Sequence, residues 1–325
     1  MFSYRLIIKQ AINIAWRYKY LWMFGIFASI VAASGSFEYQ LISNNFQMGA
    51  LESSYYFLGS IINVLETFAL FILGIANLFT FDILTIINTL TVIVIVSALL
   101  IAFIWLAISS QGALVEAAQK IINGKKKLVK LSFRELMTAG HKKFWPVLGL
   151  NILIKLAITL ILAIISVPFI LLASKYSASL TLIYTLTFIL FVPLTIACSL
   201  IIKYAIAYII IDKEGLVSAL KKSWFMFQHN WLVSLEMGII LFLINFFAGF
   251  ILIILLSVII FPYFIFAVDY GVIWLIITSA LIALALIIVA GSFLTTFQIS
   301  AWTNMFLELK NGNGQAKLER VFRKK

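Results

Sequence analysis

Acidic residues are scarce in this 325-residue chain: 12 Asp and Glu stand against 24 Lys and Arg, and charged residues of both signs make up only 11%. With 64% hydrophobic residues and a mean hydropathy of +1.12, there is too little charged surface to keep a soluble globular domain of this length in water. Cysteine occurs once, at Cys198, which excludes an intramolecular disulfide and says nothing of redox compartment. Histidine occurs twice, at His141 and His229, too thinly to group with carboxylates as a metal-dependent hydrolase requires. No phosphate-cradling GxxxxGKS/T, no HExxH and no GxSxG is present, so nucleotide-driven and hydrolytic functions have no local support. The chain reads as a non-enzyme, and no cofactor or metal is expected.

What is abundant is apolar sequence punctuated by basic clusters. The net charge of +12 would point to nucleic acid in a soluble protein, but here the Lys and Arg sit at the ends of apolar runs. That placement points to anionic phospholipid headgroups and away from nucleic acid. The densest cluster lies between Gln111 and Val147, with Lys120, Lys125, Lys126, Lys127, Lys130, Arg134, Lys142 and Lys143. Loops rich in Lys and Arg stay on the cytoplasmic side, so this stretch fixes the orientation of the rest.

The chain in order then follows by parity. Residues 2–20 carry Arg5, Lys9, Arg17 and Lys19 among apolar residues and suit a helix lying at headgroup level. Residues 21–35 form a short first span; a signal peptide cleaved near VAASG is the rival reading. Residues 36–60, with Glu38 and Glu52 but no Lys or Arg, read as an external loop. The apolar run 57–79 contains Asn63, Glu66 and Asn77. If it crossed, the next span would carry the basic cluster outside, so an interfacial or re-entrant helix is expected there. Span 2 is 83–109, span 3 is 146–173, and span 4 runs from 180 to about 203 with its helix continuing to Ile211. A second basic amphipathic segment, 215–231, precedes span 5 at 232–260, which is expected to end at Pro262. An outer turn at 261–270 and span 6 at 271–297 lead to a basic tail. Four basic residues fall in the N-terminal segment, eight in 111–147, four in 203–231 and six in the tail, leaving only Lys155 and Lys175 elsewhere. Six spans with both termini cytoplasmic account for that asymmetry.

The expected fold class is therefore all-α, a polytopic transmembrane helical bundle of six spans with three basic amphipathic interfacial helices. A threefold parallel hairpin repeat is also expected. Three times a basic segment leads to a tryptophan, at Trp22, Trp145 and Trp231, and the returning helix ends near Gly124, Gly215 or Gly312. The alternative is that aromatic and basic residues flank every span regardless of repetition. Residues 1–312 form one membrane domain with repeat-like units at 1–127, 128–215 and 216–312, and 313–325 are a basic cytoplasmic tail.

Several short motifs occur in matching order: LWMFG at 21–25, QGAL at 111–114 with GK at 124–125, AG at 139–140 before FWPV at 144–147, and ALKKSW at 219–224. In these the chain resembles uncharacterised bacterial six-helix proteins related to the membrane domain of glycerophosphoryl diester phosphodiesterases. The resemblance implies a membrane domain without its catalytic partner, in a bacterial plasma (inner) membrane. The long stretch 36–82 departs from the compact hairpins of the other two units.

Two sets of side chains are candidates for function. Lys125, Lys126, Lys127, Lys142, Lys143, Lys221 and Lys222 are placed to meet lipid headgroups. Asn151, Lys155, Glu236 and Asn245 are polar residues inside spans, the default functional positions of a membrane protein, although an interhelical structural contact is the more ordinary explanation of them. Two functions follow: a non-enzymatic scaffold associating with anionic lipid or partner proteins, or a transporter with a polar path near Lys155 and Glu236. The matched Gly and Pro breaks typical of transporters are missing, since Pro168 and Pro193 have no counterpart in span 6.

Overall fold

The computed structural model describes residues 3–33, 66, 83–124, 132–172 and 178–312, and every regular element among them is a helix. In chain order these are α1 (Tyr4–Arg17), α2 (Leu21–Ala33), α3 (Ile83–Asn123), α4 (Phe133–Lys142), α5 (Phe144–Leu172), α6 (Ala178–Ile211) and α7 (Leu216–His229). There follow α8 (Trp231–Leu255), a π turn (Leu256–Ile260), α9 (Phe261–Asp269) and α10 (Ile273–Lys310). Among the described residues four stretches are long and apolar enough to cross a membrane: Ile86–Asn123, Pro193–Ile211, Trp231–Asp269 and Ile273–Lys310. Leu21–Ile30 and Phe144–Ile158 are shorter apolar helices. The chain is a membrane-embedded helical protein. The run at 57–79 apart from Glu66, the loop at 36–60 and the tail at 313–325 lie outside the described residues.

The chain divides into two compact units. One comprises Met1–Ala33, Leu106–Leu150 and Leu200–Lys325; the other comprises Ser34–Trp105 and Asn151–Ser199. The first unit holds two hydrophobic clusters. In α1, Tyr4, Ile7, Ala11, Ile14 and Ala15 recur at helical spacing and are buried, while Arg5, Leu6, Lys9, Ile12, Trp16 and Arg17 face outward. That inner face joins Leu200, Tyr204, Met226, Met237, Phe297 and Met305. A neighbouring cluster gathers Ile14, Leu21, Phe24, Ala113, Leu114, Ala117 and Leu136. Each fully buried Ile or Leu stabilises by about 1.5–3 kcal/mol where water is the alternative, as it is for the amphipathic helices.

Small residues set the spacing between helices. Gly25 of α2 lies on the backbone of Ser292 in α10, and a Cβ there would run into the Ser292 carbonyl oxygen. Ser292 Oγ donates to the Trp22 carbonyl, and Thr296 Oγ1 lies 3.4 Å from the Leu21 carbonyl oxygen. Gly140 of α4 sits against the Ser109 carbonyl of α3, with Gly112 beside it. Lipid tails are as apolar as leucine, so close backbone approach and interhelical hydrogen bonds supply much of the attraction between such helices.

Long helices carry the core at one end only. Residues 107–118, 200–210 and 292–309 are largely buried, whereas 239–289 of the same unit is mostly exposed apolar surface. At 1.5 Å per residue the 38 residues of α10 extend about 57 Å, well beyond a hydrocarbon core of about 30 Å. In the second unit α3 is exposed on nearly every side from Ile83 to Ile104, and Ile154, Ile158 and Thr195 are buried.

Three expectations are corrected. The helix of span 2 does not give way to loop at 109–111: α3 continues to Asn123, next to Gly124, the expected end of the returning helix, held by Ala113, Leu114, Ala117 and Ala118 in the core and by a Glu116–Lys120 pair at 3.2 Å. Pro262 does not end the fifth apolar helix. A π turn precedes it, in which the Phe261 N–H donates to the Leu256 carbonyl five residues back. The wider turn makes room for the proline ring, and the helix runs on to Asp269. The outer turn is correspondingly short, Tyr270–Val272, with Gly271 at φ +64° and the Val272 N–H donating to the Ala267 carbonyl. The helix of span 4 ends at Ile211 as expected, and Gly215 caps the start of α7, at φ −80° and ψ 163°. The positive φ of that connection falls on Lys213, at 58°.

Candidate functional site

The outward faces of α1, α4 and α7 carry the basic residues, and each helix is followed by a short break and then an apolar helix. The breaks are Tyr18–Tyr20, Lys143 and Asn230; Tyr18, Lys143 and Asn230 take φ of −106°, −112° and −129°, outside helical geometry. At the first elbow Trp22 Nε1–H donates to the Ala15 carbonyl at 2.7 Å, satisfying one of the last acceptors of α1 and fixing the angle to α2. His141, Lys142 and His229 lie in the last turns of α4 and α7, where positive charge complements the helix dipole.

The α6–α7 connection is a clasp of charges. Asp212 Oδ1 pairs with Lys310 Nζ at 2.5 Å, and the Glu214 carboxylate receives both Lys222 and Ser218. Lys143 Nζ donates to the Lys213 carbonyl at 2.8 Å. Donation by Lys222, then by Ser218, holds the Glu214 carboxyl below the usual carboxylate range, and the same contact holds the Lys222 ammonium above the usual lysine range. The clasp thus joins the start of α5, the end of α6, the face of α7 and the end of α10.

This sorts the headgroup candidates by what they touch. Lys142 and Lys221 are exposed and form no ion pair or hydrogen bond among the described residues. Lys143 and Lys222 are engaged in the clasp. Lys125, Lys126 and Lys127 lie outside the described residues. Beyond that set, Arg5, Lys9 and Arg17 on α1 and Arg134 on α4 are exposed, with no side-chain ion pair or hydrogen bond among the described residues. The sequence carried a signal for α1: Arg5, Lys9, Ile12 and Trp16 are spaced four, three and four apart, which is one line along a helix.

The intramembrane polar residues divide between the units. Asn151 is half-buried and Lys155 exposed on α5 in one; Glu236 and Asn245 are half-buried on α8 in the other. Asn245 Oδ1 is buried with no hydrogen-bond partner among the described residues. Glu236 and Asn245 are nine residues apart, on opposite faces of α8. The polar network that the sequence did not reveal lies in the core of the first unit. There Tyr204 Oη and Ser234 Oγ are 2.6 Å apart, Lys203 Nζ stands 4.4 Å from the Trp302 ring centre, and buried Asn304 donates to Gln10 at 2.7 Å. Its members come from α1, α6, α8 and α10, so no local spacing announces it. Among the described residues no group of three or more His, Cys, Asp or Glu could hold a metal ion.

Compared with protein-family models, with curated proteins and with solved structures, the chain matches none.

Proposed function

We propose that this chain is a six-span protein of a bacterial plasma membrane with both termini on the basic, cytoplasmic side. It acts without catalysis, as a scaffold that associates with anionic phospholipid or partner proteins. The observation that carries the reading is the set of exposed cations on α1, α4 and α7 that form no side-chain pair among the described residues, interleaved with exposed Leu6, Trp16, Phe133, Trp224 and Phe225. Basic and aromatic residues side by side on an amphipathic helix suit the boundary between headgroups and acyl chains. In this reading the two shorter apolar helices cross as well as the four long ones. The three elbows support a threefold repeat, and the motif resemblance to phosphodiesterase membrane domains agrees with that arrangement.

A carrier is the second reading, favoured by the unsatisfied Asn245 oxygen. Glu236 and Asn245 face opposite sides of α8, so one path along that helix does not take both.

Reconstitution in vesicles of mixed phosphatidylglycerol and phosphatidylcholine tests the proposal. Spin-labelled phosphatidylglycerol should be immobilised by the protein more than spin-labelled phosphatidylcholine, and the difference should shrink as salt rises. Equal immobilisation would remove the lipid reading, and solute flux in the same vesicles would install the carrier. For orientation, a Cys198→Ser protein with Ser53→Cys, Asn123→Cys or Asn313→Cys should react with an impermeant reagent from outside only at position 53.

A further inference from the structure

We infer that the outward stripe of α1 is a phospholipid site, in which Arg5 and Lys9 hold an anionic headgroup and an acyl chain lies along Ile12 and Trp16. The inference rests on the lipid-associating reading above and narrows it to one helix and one orientation. Arg5, Lys9, Ile12 and Trp16 fall on one line, and the opposite face of α1 is committed to the core through Ile7, Ala11 and Ile14. The stripe therefore cannot roll inward. Arg5 and Lys9 border an open groove of about 460 Å³ together with Ile8 and Ile12. Neither cation has an ion pair or hydrogen bond among the described residues, in contrast to Lys222 and Lys310 in the clasp.

The order of side chains along the stripe selects the occupant. Its first two members are cations one helical turn apart, a spacing that lets an arginine fork and a lysine point charge meet the same phosphate. Its last two are apolar: Ile12 is 44% exposed and Trp16 64% exposed. The Trp16 indole is held edge-on by Phe293 of α10, with ring centres 6.1 Å apart, and Lys19 Nζ stands 5.9 Å from it. From Arg5 to Trp16 the axis rises about 16 Å, and the apolar end is the end that turns into α2. A free anion would leave the apolar half of the stripe unused. A lipid has the same lengthwise division, phosphate then hydrocarbon, and uses both halves.

The test uses the full chain in mild detergent, with phosphatidylglycerol, phosphatidylcholine and inorganic phosphate as probes and native mass spectrometry as the readout. Wild type should retain phosphatidylglycerol over phosphatidylcholine by about thirtyfold at low salt, the shift expected of two surface cations. Arg5→Gln with Lys9→Gln should bring the ratio close to one. Trp16→Ala should lower retention of both lipids together. Inorganic phosphate should not displace the lipid. A wild-type preference that survives Arg5→Gln/Lys9→Gln overturns the α1 site and leaves the broader reading standing, whereas a wild type without preference overturns both. Displacement by inorganic phosphate alone would make this a free-anion site and overturn the proposal. Should the double variant fail to fold, photoactivatable phosphatidylglycerol on wild type decides: cross-links should fall within 4–17, and cross-links only on other helices overturn the site.

Discussion

Replacing Gly25 by alanine isolates the contact that joins α2 to α10. The new methyl would meet the Ser292 backbone oxygen, with Thr296 Oγ1 at 2.6 Å and Ser292 Oγ at 2.7 Å. A backbone carbonyl cannot rotate away as a flexible side chain can, so α2 must shift as a whole. Overpacking of this kind costs about 1–3 kcal/mol. The shift also loosens the Ser292–Trp22 and Thr296–Leu21 contacts, and interhelical hydrogen bonds in bilayers average about 0.6 kcal/mol each. Against this, alanine is favoured over glycine within a helix by about 1 kcal/mol. The net expectation is destabilisation of about 1–3 kcal/mol. Gly291→Ala, one residue from Ser292 but with open space around the added methyl, carries the same propensity gain and no clash. It should be neutral or stabilising by up to about 1 kcal/mol. Equilibrium unfolding in mixed micelles of SDS and a mild detergent would compare them. If Gly25→Ala proves as stable as Gly291→Ala, the close approach of these helices is not what holds α2 in place.

Two further outcomes follow from the α6–α7 clasp. Lys213 has φ 58°, a conformation costing an L-residue about 1 kcal/mol, while its carbonyl contact to Lys143 needs only backbone. Lys213→Gly should therefore leave unfolding unchanged or shift it upward slightly, and Lys213→Val should shift it downward. The lowered pKa of Glu214 means that its contribution is present above the usual carboxylate value of 4.5 and is lost as pH falls through the lowered value. Lys222, with its pKa raised, keeps its part at neutral pH and loses it only as pH rises through the raised value. Wild type should thus exceed Glu214→Gln in thermal stability at pH 7 and converge with it on acidification; a gap that does not narrow at any acidic pH would mean the charge of Glu214 contributes nothing.

The amphipathic helices α1 and α7 were legible because their information is local: a buried face at helical spacing and a basic, aromatic outer face define a helix whatever its neighbours are. The same holds for the class of protein, since an apolar run of span length has no other stable home. Sequence reading failed where all faces of a helix are apolar, because a pattern without polarity does not say which side is covered. Thus it did not show that α3 and α10 are buried at their basic ends and exposed beyond. The candidate site divides in the same way. Which residues are cationic and near a membrane border was written in the chain, and so was the line from Arg5 to Trp16. Whether a given lysine is free was not: Lys143 is occupied because the fold brings it to the Lys213 carbonyl 70 residues on, and Lys222 because the α6–α7 connection turns Glu214 back onto α7. Composition and helical period determined what kind of protein this is and where its amphipathic faces lie. Only the tertiary structure decided which charges neutralise each other and which remain outward, because that depends on which helix ends the fold brings side by side, as at the meeting of Lys310 with Asp212 and of Lys143 with Lys213.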